Sequence, residues 1–262
     1  MVNLLPLDEG ERITSILPVE GYEEGHFIFM ATARGIVKKT DMQQFARQRS
    51  VGLRALELEA DDWLVGTAVT DGSCDVMLLS SEGKAVRFQE QAVRAMGRTA
   101  RGVRGIKLGD EHRLISLIVP QADSTILTVS EKGYGKRTFL NDPEDKEPVY
   151  RITNRGGKGV KTLNITEKTG KLLSIQNVFD EDDLMIITKS GVTIRMHIDT
   201  IRTMGRAAQG VKLINLKANA EIAAIARVPR ADDEDEDENQ IDVTEEGGEN
   251  GTEIENNEAQ SE

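Results

Sequence analysis

The sequence predicts an all-β fold built from repeated four-stranded blades, a propeller-type architecture. Three observations carry that reading. A hydrophobic run, a short turn ending in glycine and a run bearing Lys or Arg recur four times: FIFMATARGIVKKT from Phe27, VMLLSSEGKAVRF from Val76, ILTVSEKGYGKRT from Ile126 and LMIITKSGVTIRM from Leu184. Their turn glycines, Gly35, Gly83, Gly133 and Gly191, are 48, 50 and 58 residues apart, and self-similarity at such a period marks a repeat architecture. No segment keeps a helical periodicity; only DMQQF after Thr40 and QEQAV after Phe88 allow a turn of helix.

The elements follow in a fixed order through repeats near 20–60, 61–110, 111–166 and 170–217. First comes a β-branched run, at 12–19, 62–69, 113–119, 171–178 and 221–228. The second and third strands form the hairpin around the turn glycine, where a positive φ costs glycine nothing. A second basic element follows: RQRSVGLRALEL, GRTARGVRGIKL, TNRGGKGVKTLNI and GRAAQGVKLINL, with aligned Gly52, Gly102, Gly159 and Gly210 spaced 50, 57 and 51 apart. It leads into a fourth strand, as at 103–108 or 211–216. Residues 141–150 (NDPEDKEPVY) read as an acidic, Pro-containing loop inserted in the third repeat, which explains the long interval. Four strands per 48–58 residues is the measure of a propeller blade. Residues 2–7 (VNLLPL) match a fourth strand and 221–228 a first strand without its successor. The expectation is therefore the carboxy-terminal part of something longer.

Charge divides the chain in two. Of 262 residues, 33 are Lys or Arg and 45 are Asp or Glu, a formal net charge of −12. Fifteen of the acids and none of the bases follow Arg230, leaving residues 1–230 mildly basic. Residues 231–262 lack aromatics and have few aliphatics, so a disordered acidic tail is expected there. Within 1–230 the segregation repeats. The stretches 34–54, 83–107, 132–161 and 189–217 hold 27 of the 33 bases and only seven acids. The same part of each blade is basic, so the fold should gather these charges into one face or rim, whose natural partner is a polyanion. Aromatics are 4% of residues and do not interleave with the basic runs, which argues against single-strand stacking and favours duplex DNA held by its phosphates.

Other classes are disfavoured. No run of 18 apolar residues exists, the amino terminus has no secretory pattern, and a single cysteine, Cys74, cannot form an internal disulfide, so a cytoplasmic protein is expected. There is no G-x-x-x-x-G-K-[ST] loop, and Gly133-Tyr134-Gly135 serves a hairpin. His26, His112 and His197 lie one to a repeat, without metal spacing. Cys74 reads as a packing or surface thiol, and Trp63 and the six phenylalanines as core residues. A propeller enzyme would require a ring of polar or metal ligands that is not visible. A protein-binding propeller scaffold stays open as an alternative.

Gly-Tyr-Gly-Lys-Arg from Gly133, Arg-Gly-Gly-Lys-Gly from Arg155, VNLLPL, VRAMGRTARGVRGIKL and the acidic tail together resemble the carboxy-terminal domain of the DNA gyrase A protein. The resemblance covers essentially all of 1–230. It implies a β-pinwheel, a propeller-like disc whose blades exchange strands and whose rim binds and bends duplex DNA. The related topoisomerase IV protein is the alternative within the class. The family's box, Gln-Arg-Arg-Gly-Gly-Lys-Gly, is matched best at 154–159, with Asn154 where an Arg is expected, and the stretches from Arg47, Gly97 and Gly205 are degenerate. The resemblance places the full box, two further blades and the breakage-reunion domain upstream. It implies no catalysis by this chain alone, no metal or cofactor in it, and ATP and Mg2+ used elsewhere in a complete A2B2 enzyme of gyrase A and gyrase B. The DNA-contacting candidates are Lys38, Lys39, Arg47, Arg49, Arg54, Arg87, Arg98, Arg101, Arg104, Lys136, Arg137, Arg155, Gly156, Gly157, Lys158, Gly159, Lys161, Arg195, Arg206 and Lys212.

Overall fold

A computed structural model describes residues 10–11, 13–47, 49, 52–216 and 220–229. The strand expected at 2–7 and the acidic tail at 231–262 lie outside the described residues.

Four antiparallel hairpins form the frame: β1 (Phe27–Thr32) with β2 (Ile36–Asp41), β4 (Asp75–Ser80) with β5 (Lys84–Gln89), β8 (Thr125–Ser130) with β9 (Tyr134–Phe139), and β12 (Asp183–Thr188) with β13 (Thr193–His197). Each turn closes with the glycine N–H donating back three residues, as from Gly35 to the Thr32 carbonyl at 2.8 Å. The glycine then takes the left-handed conformation, φ +78° at Gly35 and +85° at Gly191, which lets the turn rejoin a twisted strand. The two foreseen helical turns are single 3-10 turns, Met42–Phe45 and Glu90–Ala92, and a third lies at Ile198–Thr200. The Asp41 carboxylate caps the first of them by accepting from the Gln43 N–H at 2.9 Å.

Three of the four sheets described have four strands and the last has three, and none is a contiguous repeat of the sequence. The four remaining inner strands are β3 (Leu64–Thr70), β7 (Leu114–Ile118), β11 (Leu172–Val178) and β15 (Ile222–Val228). The three short outer strands are β6 (Val103–Arg104), β10 (Val160–Lys161) and β14 (Val211–Lys212). The sheets run β3-β1-β2-β6, β10-β5-β4-β7, β11-β8-β9-β14 and β13-β12-β15. Each hairpin therefore takes its inner neighbour, and each of the first three its outer neighbour as well, from the sequence that follows its own repeat, which corrects the repeat limits of 20–60, 61–110, 111–166 and 170–217 as blade limits. Residues 13–19 form no strand, correcting that assignment. By the rule of the other blades, such a segment pairs with the hairpin of the preceding repeat.

Both faces of β1, β4, β8 and β12 are largely covered, so these strands read as continuous apolar runs. Alternate side chains serve opposite neighbours. On β4, Val76 and Leu78 join Phe29, Val37, Phe88 and Ile106 between the first two sheets. Met77 and Leu79 join Ile126, Tyr150, Leu163 and Ile175 between the second and third. Leu127 and Val129 meet Leu184, Ile186, Ile198 and Ile214 between the third and fourth. The inner strands β3, β7, β11 and β15 lie side by side in that order. Trp63 and Phe139 depart from the core assignment, with Trp63 half exposed at the edge of its blade.

Candidate nucleic-acid interface

The basic stretches occupy the outer halves of the blades, but their side chains divide into an inward and an outward set. The middle of each outer hairpin strand carries a base opposite an apolar residue: Lys39 faces Phe29, Arg87 faces Met77, Arg137 faces Leu127 and Arg195 faces Met185. The first three are buried, as are Lys38 and Lys136. Burial removes Lys38, Lys39, Arg87, Lys136 and Arg137 from contact with a ligand, correcting their assignment as DNA-contacting.

Each buried base has a structural employment. Lys39 pairs with the fully buried Glu90 at 3.1 Å and lies 4.6 Å from the centre of the Phe27 ring. Glu90 also accepts from Thr70 Oγ1 at 3.1 Å and Cys74 Sγ at 2.9 Å. Burial, reinforced by Glu90, pushes the Cys74 thiol up to about 12, so it remains protonated and donates. Arg87 pairs with Asp75 at 2.7 Å and donates to the Tyr150 carbonyl at 3.1 Å. Arg137 pairs with Asp180 and donates to the Ile201 carbonyl at 2.7 Å. The available sequence signal was a lone carboxylate breaking or flanking an apolar run, as Asp75 and Asp183 do.

Lys38 and Lys136 hold the glycine-rich elements themselves. Lys38 Nζ donates to the carbonyls of Ala55, at 2.6 Å, and Arg98. Lys136 Nζ donates to those of Gly205 and Arg206, both at 2.6 Å. Burial, with Arg98 and Arg206 respectively nearby, pulls each ammonium down to about 8.

The elements these lysines pin carry the outward set. Arg47, Arg49, Arg54, Arg101, Arg104, Arg155, Lys158, Lys161, Arg195 and Lys212 are exposed, and Arg98 and Arg206 half-buried. A periodic contact brings them together across repeats. Arg98 Nη1 donates to the Arg54 carbonyl at 3.3 Å, Arg155 Nη1 to the Arg104 carbonyl at 3.1 Å, and Arg206 Nη1 to the Lys161 carbonyl at 2.6 Å. Residues 44, 51 and 45 positions apart are thus juxtaposed in the same way three times. This is a series of basic junctions, one per pair of neighbouring elements, each offering two cationic side chains and loop amides suited to phosphate oxygens.

The glycines of the best-matching box have separate reasons. Gly159 has φ +78°, and a Cβ there would stand 2.6 Å from the Ala85 carbonyl, as one on Gly102 would stand 2.5 Å from that of Val37. Gly156 takes φ +79° and donates to the Gly105 carbonyl at 2.6 Å. Gly157 has no positive φ, and an added Cβ would make only ordinary contact, 3.5 Å from the Asn154 carbonyl. Among the described residues, Asp71, Cys74 and Glu90 form the group of three closest to a metal-ligand set, but Lys39, Thr70 and Cys74 already engage the Glu90 oxygens.

Four successive sheets, three of them with an exchanged outer strand, and a periodic basic series define a propeller-type repeat domain. The chain belongs to the family described as the DNA gyrase C-terminal domain, beta-propeller, which matches residues 26–71, 75–121, 124–142, 149–178 and 182–229. The first of these spans β1 to β3, a hairpin plus its inner strand from the following repeat, and the gap at 143–148 falls within the inserted loop. The DNA gyrase A protein of Salmonella typhimurium is 46% identical over 236 residues, 90% of this chain and 26% of that protein. The chain thus spans about a quarter of that relative's length. In fold, it resembles the C-terminal domain of DNA topoisomerase IV, with TM-score 0.78 and 23% identity over 87% of this chain and 69% of that one. It also resembles the DNA gyrase A C-terminal domain, with TM-score 0.74 and 22% identity over 86% and 73%.

Proposed function

We propose that this chain binds duplex DNA across its outward basic series and bends it, as the DNA-wrapping part of a gyrase A protein. The observation that carries this reading is the threefold Arg-to-carbonyl contact, which aligns Arg54 with Arg98, Arg104 with Arg155, and Lys161 with Arg206. A duplex following these junctions meets cations at regular intervals, and repeated attraction on one side favours curvature. Bending a 20–30 base-pair segment by 40–90° costs roughly 1–6 kcal/mol, which several phosphate contacts can offset. The 46% identity to a gyrase A protein supports assembly with gyrase B into a cytoplasmic, nucleoid-associated A2B2 enzyme. In that complex this domain supports supercoiling while ATP hydrolysis and DNA cleavage occur elsewhere. Residues 1–230 form the wrapping domain and 231–262 an acidic tail competing with DNA for the same bases.

The test is binding of a long duplex at graded salt, read by fluorescence anisotropy. If ~6–10 phosphates are neutralised, log Kd should change with log salt by about 0.9 per phosphate. A salt-independent affinity, or binding confined to one sequence, overturns the proposal and favours a protein-binding scaffold.

A further inference from the structure

The hairpin turns of the first three blades share one backbone and one apolar cover, and they differ in the charge set around it. After each two-residue outer strand the chain folds over the turn glycine of the hairpin it completes. The Gly105, Thr162 and Leu213 N–H groups donate to the Gly35, Gly83 and Gly133 carbonyls, each at 2.8 Å. An aliphatic side chain then covers the turn. A Cβ on the glycine would stand 2.8 Å from Ile106 in the first blade, 2.9 Å from Ile165 in the second and 2.8 Å from Ile214 in the third.

In the first blade a pocket of about 260 Å³ opens beside this cover. Arg34 of the turn, Arg104, Lys107 and Arg113 line it with Leu108, and no carboxylate is among the described residues that do. Arg34 meets Glu59 at 3.1 Å, but both side chains of that pair reach water, and such pairs yield readily to another anion. In the third blade a pocket of about 400 Å³ gathers Lys132 of the turn, Lys168 and Lys212 beside Tyr134 and Leu216. Its carboxylate, Glu221, is paired with Lys189 at 2.5 Å. Lys132 stands where Arg34 does, one residue before the turn glycine, and Lys212 stands where Arg104 does, in the outer strand. The second blade departs from the pattern. Glu82 holds the turn position, pairs with Lys84 and lies 3.6 Å from His112 at the rim of the first pocket. The Lys84 hydrogen bond keeps the Glu82 carboxyl below its ordinary range, so it stays an anion.

We infer that duplex phosphates occupy these two turn-side pockets, so that the first and third blades hold DNA by a second set of cations and the second blade does not. Arg104 lines the first pocket while its carbonyl receives the Arg155 guanidinium, so pocket and junction are continuous. A duplex carries one phosphate per roughly 1.7 Å of its axis, and three or four cations beside a junction meet more of them than the junction does alone. The apolar cover gives the long Arg and Lys stems a surface to lie on while their charged heads face water. The stronger grip recurs every second repeat, 98 residues from Gly35 to Gly133. The inference rests on the DNA-binding reading above and deepens it by assigning Arg34, Lys107, Lys132 and Lys168, all exposed, to the interface.

Duplex binding by the full chain at graded salt, read by fluorescence anisotropy with thermal melting as the check on folding, provides the test. Arg34→Gln, Lys107→Gln, Lys132→Gln and Lys168→Gln combined should lower the salt slope by up to about 3.6, four phosphates at 0.9 each, and weaken binding at low salt at least about tenfold. Glu82→Lys should do the reverse, raising the slope by about 0.9 and tightening binding. The turn accepts a base there, as Arg34 and Lys132 show in the neighbouring blades, so this variant decides the matter where four substitutions disturb folding. A folded fourfold variant with the parental slope, or a Glu82→Lys chain that binds no tighter than the parent, overturns this inference and leaves the DNA-binding reading standing. A parent whose affinity ignores salt overturns both. Inorganic pyrophosphate that binds the parent by calorimetry, together with a parental duplex slope in the fourfold variant, would assign the pockets to a small phosphorylated molecule and overturn the inference as well.

Discussion

The third and fourth hairpins are built alike and end differently. β8–β9 and β12–β13 share the turn, the glycine and a base opposite an apolar residue, Arg137 opposite Leu127 and Arg195 opposite Met185. In the third blade, β14 and the loop around Thr203 cover the outer strand, and Arg137 is buried. In the fourth, no strand among the described residues lies outside β13, and the Arg195 side chain is 57% exposed although it still reaches Asp183. Burial of the central base is thus a property of the junction with the following repeat, not of the hairpin. A covered base becomes a structural cation that demands a carboxylate or carbonyls; an uncovered one remains available to a ligand.

The sharpest way to break that contrast is to remove a carboxylate from each kind of blade. Glu90→Ala leaves Lys39 buried without its counter-charge and should cost about 3–5 kcal/mol in urea unfolding. Asp183→Ala takes a buried carboxylate from Arg195 and His197, whose side chains already reach solvent, and should cost well under half as much. Equal losses would mean that cover on the outer strand is irrelevant.

Substitution of the outward set comes next. Arg155, Lys158 and Lys161 all changed to Ala should lower the salt slope of duplex binding by up to about 2.7, with three phosphates at 0.9 each. The corresponding change at buried Arg87 should unfold its blade instead. A folded triple variant with parental affinity would remove this junction from the interface. The box glycines refine the point: Gly159→Val should lower the melting temperature by several degrees through its clash with the Ala85 carbonyl, and Gly157→Val should be nearly silent.

The buried lysines titrate in a defined direction. Their native pKa, about 8, lies below the ordinary 10.5, so the native state holds fewer protons than the unfolded chain between these values. Their contribution to stability should therefore rise with pH across that window, be complete above 10.5, and be lost as pH falls through about 8. The difference in unfolding free energy between the parent and Lys136→Met, followed from pH 7 to 10.5, should show that slope; a flat difference contradicts it. The smallest expected effect concerns the segment after Arg230. Its removal should tighten duplex binding at low salt and leave it unchanged at high salt, where charges are screened. Equal affinities at low salt leave that segment no role in DNA binding.

Much of this was legible without coordinates. The four hairpins, their turn glycines, the inner strands and the inserted loop follow from spacing and period, because a turn of fixed geometry and a two-residue alternation are local demands. The segregation of charge was equally plain from the positions of the bases. Two matters belonged to tertiary structure alone. Blade membership was one, since the pairing of Val103 with Val37 joins residues 66 apart and no local pattern states which hairpin a strand will complete. The other was the fate of each base. Lys38 and Lys39 look no different in sequence from Lys158 or Lys161, yet packing of the next repeat seals the first two inside and leaves the others in water. A lysine's charge is written in its side chain, but whether that charge holds the fold or meets a ligand depends on what covers it, and that cover comes from a distant part of the chain.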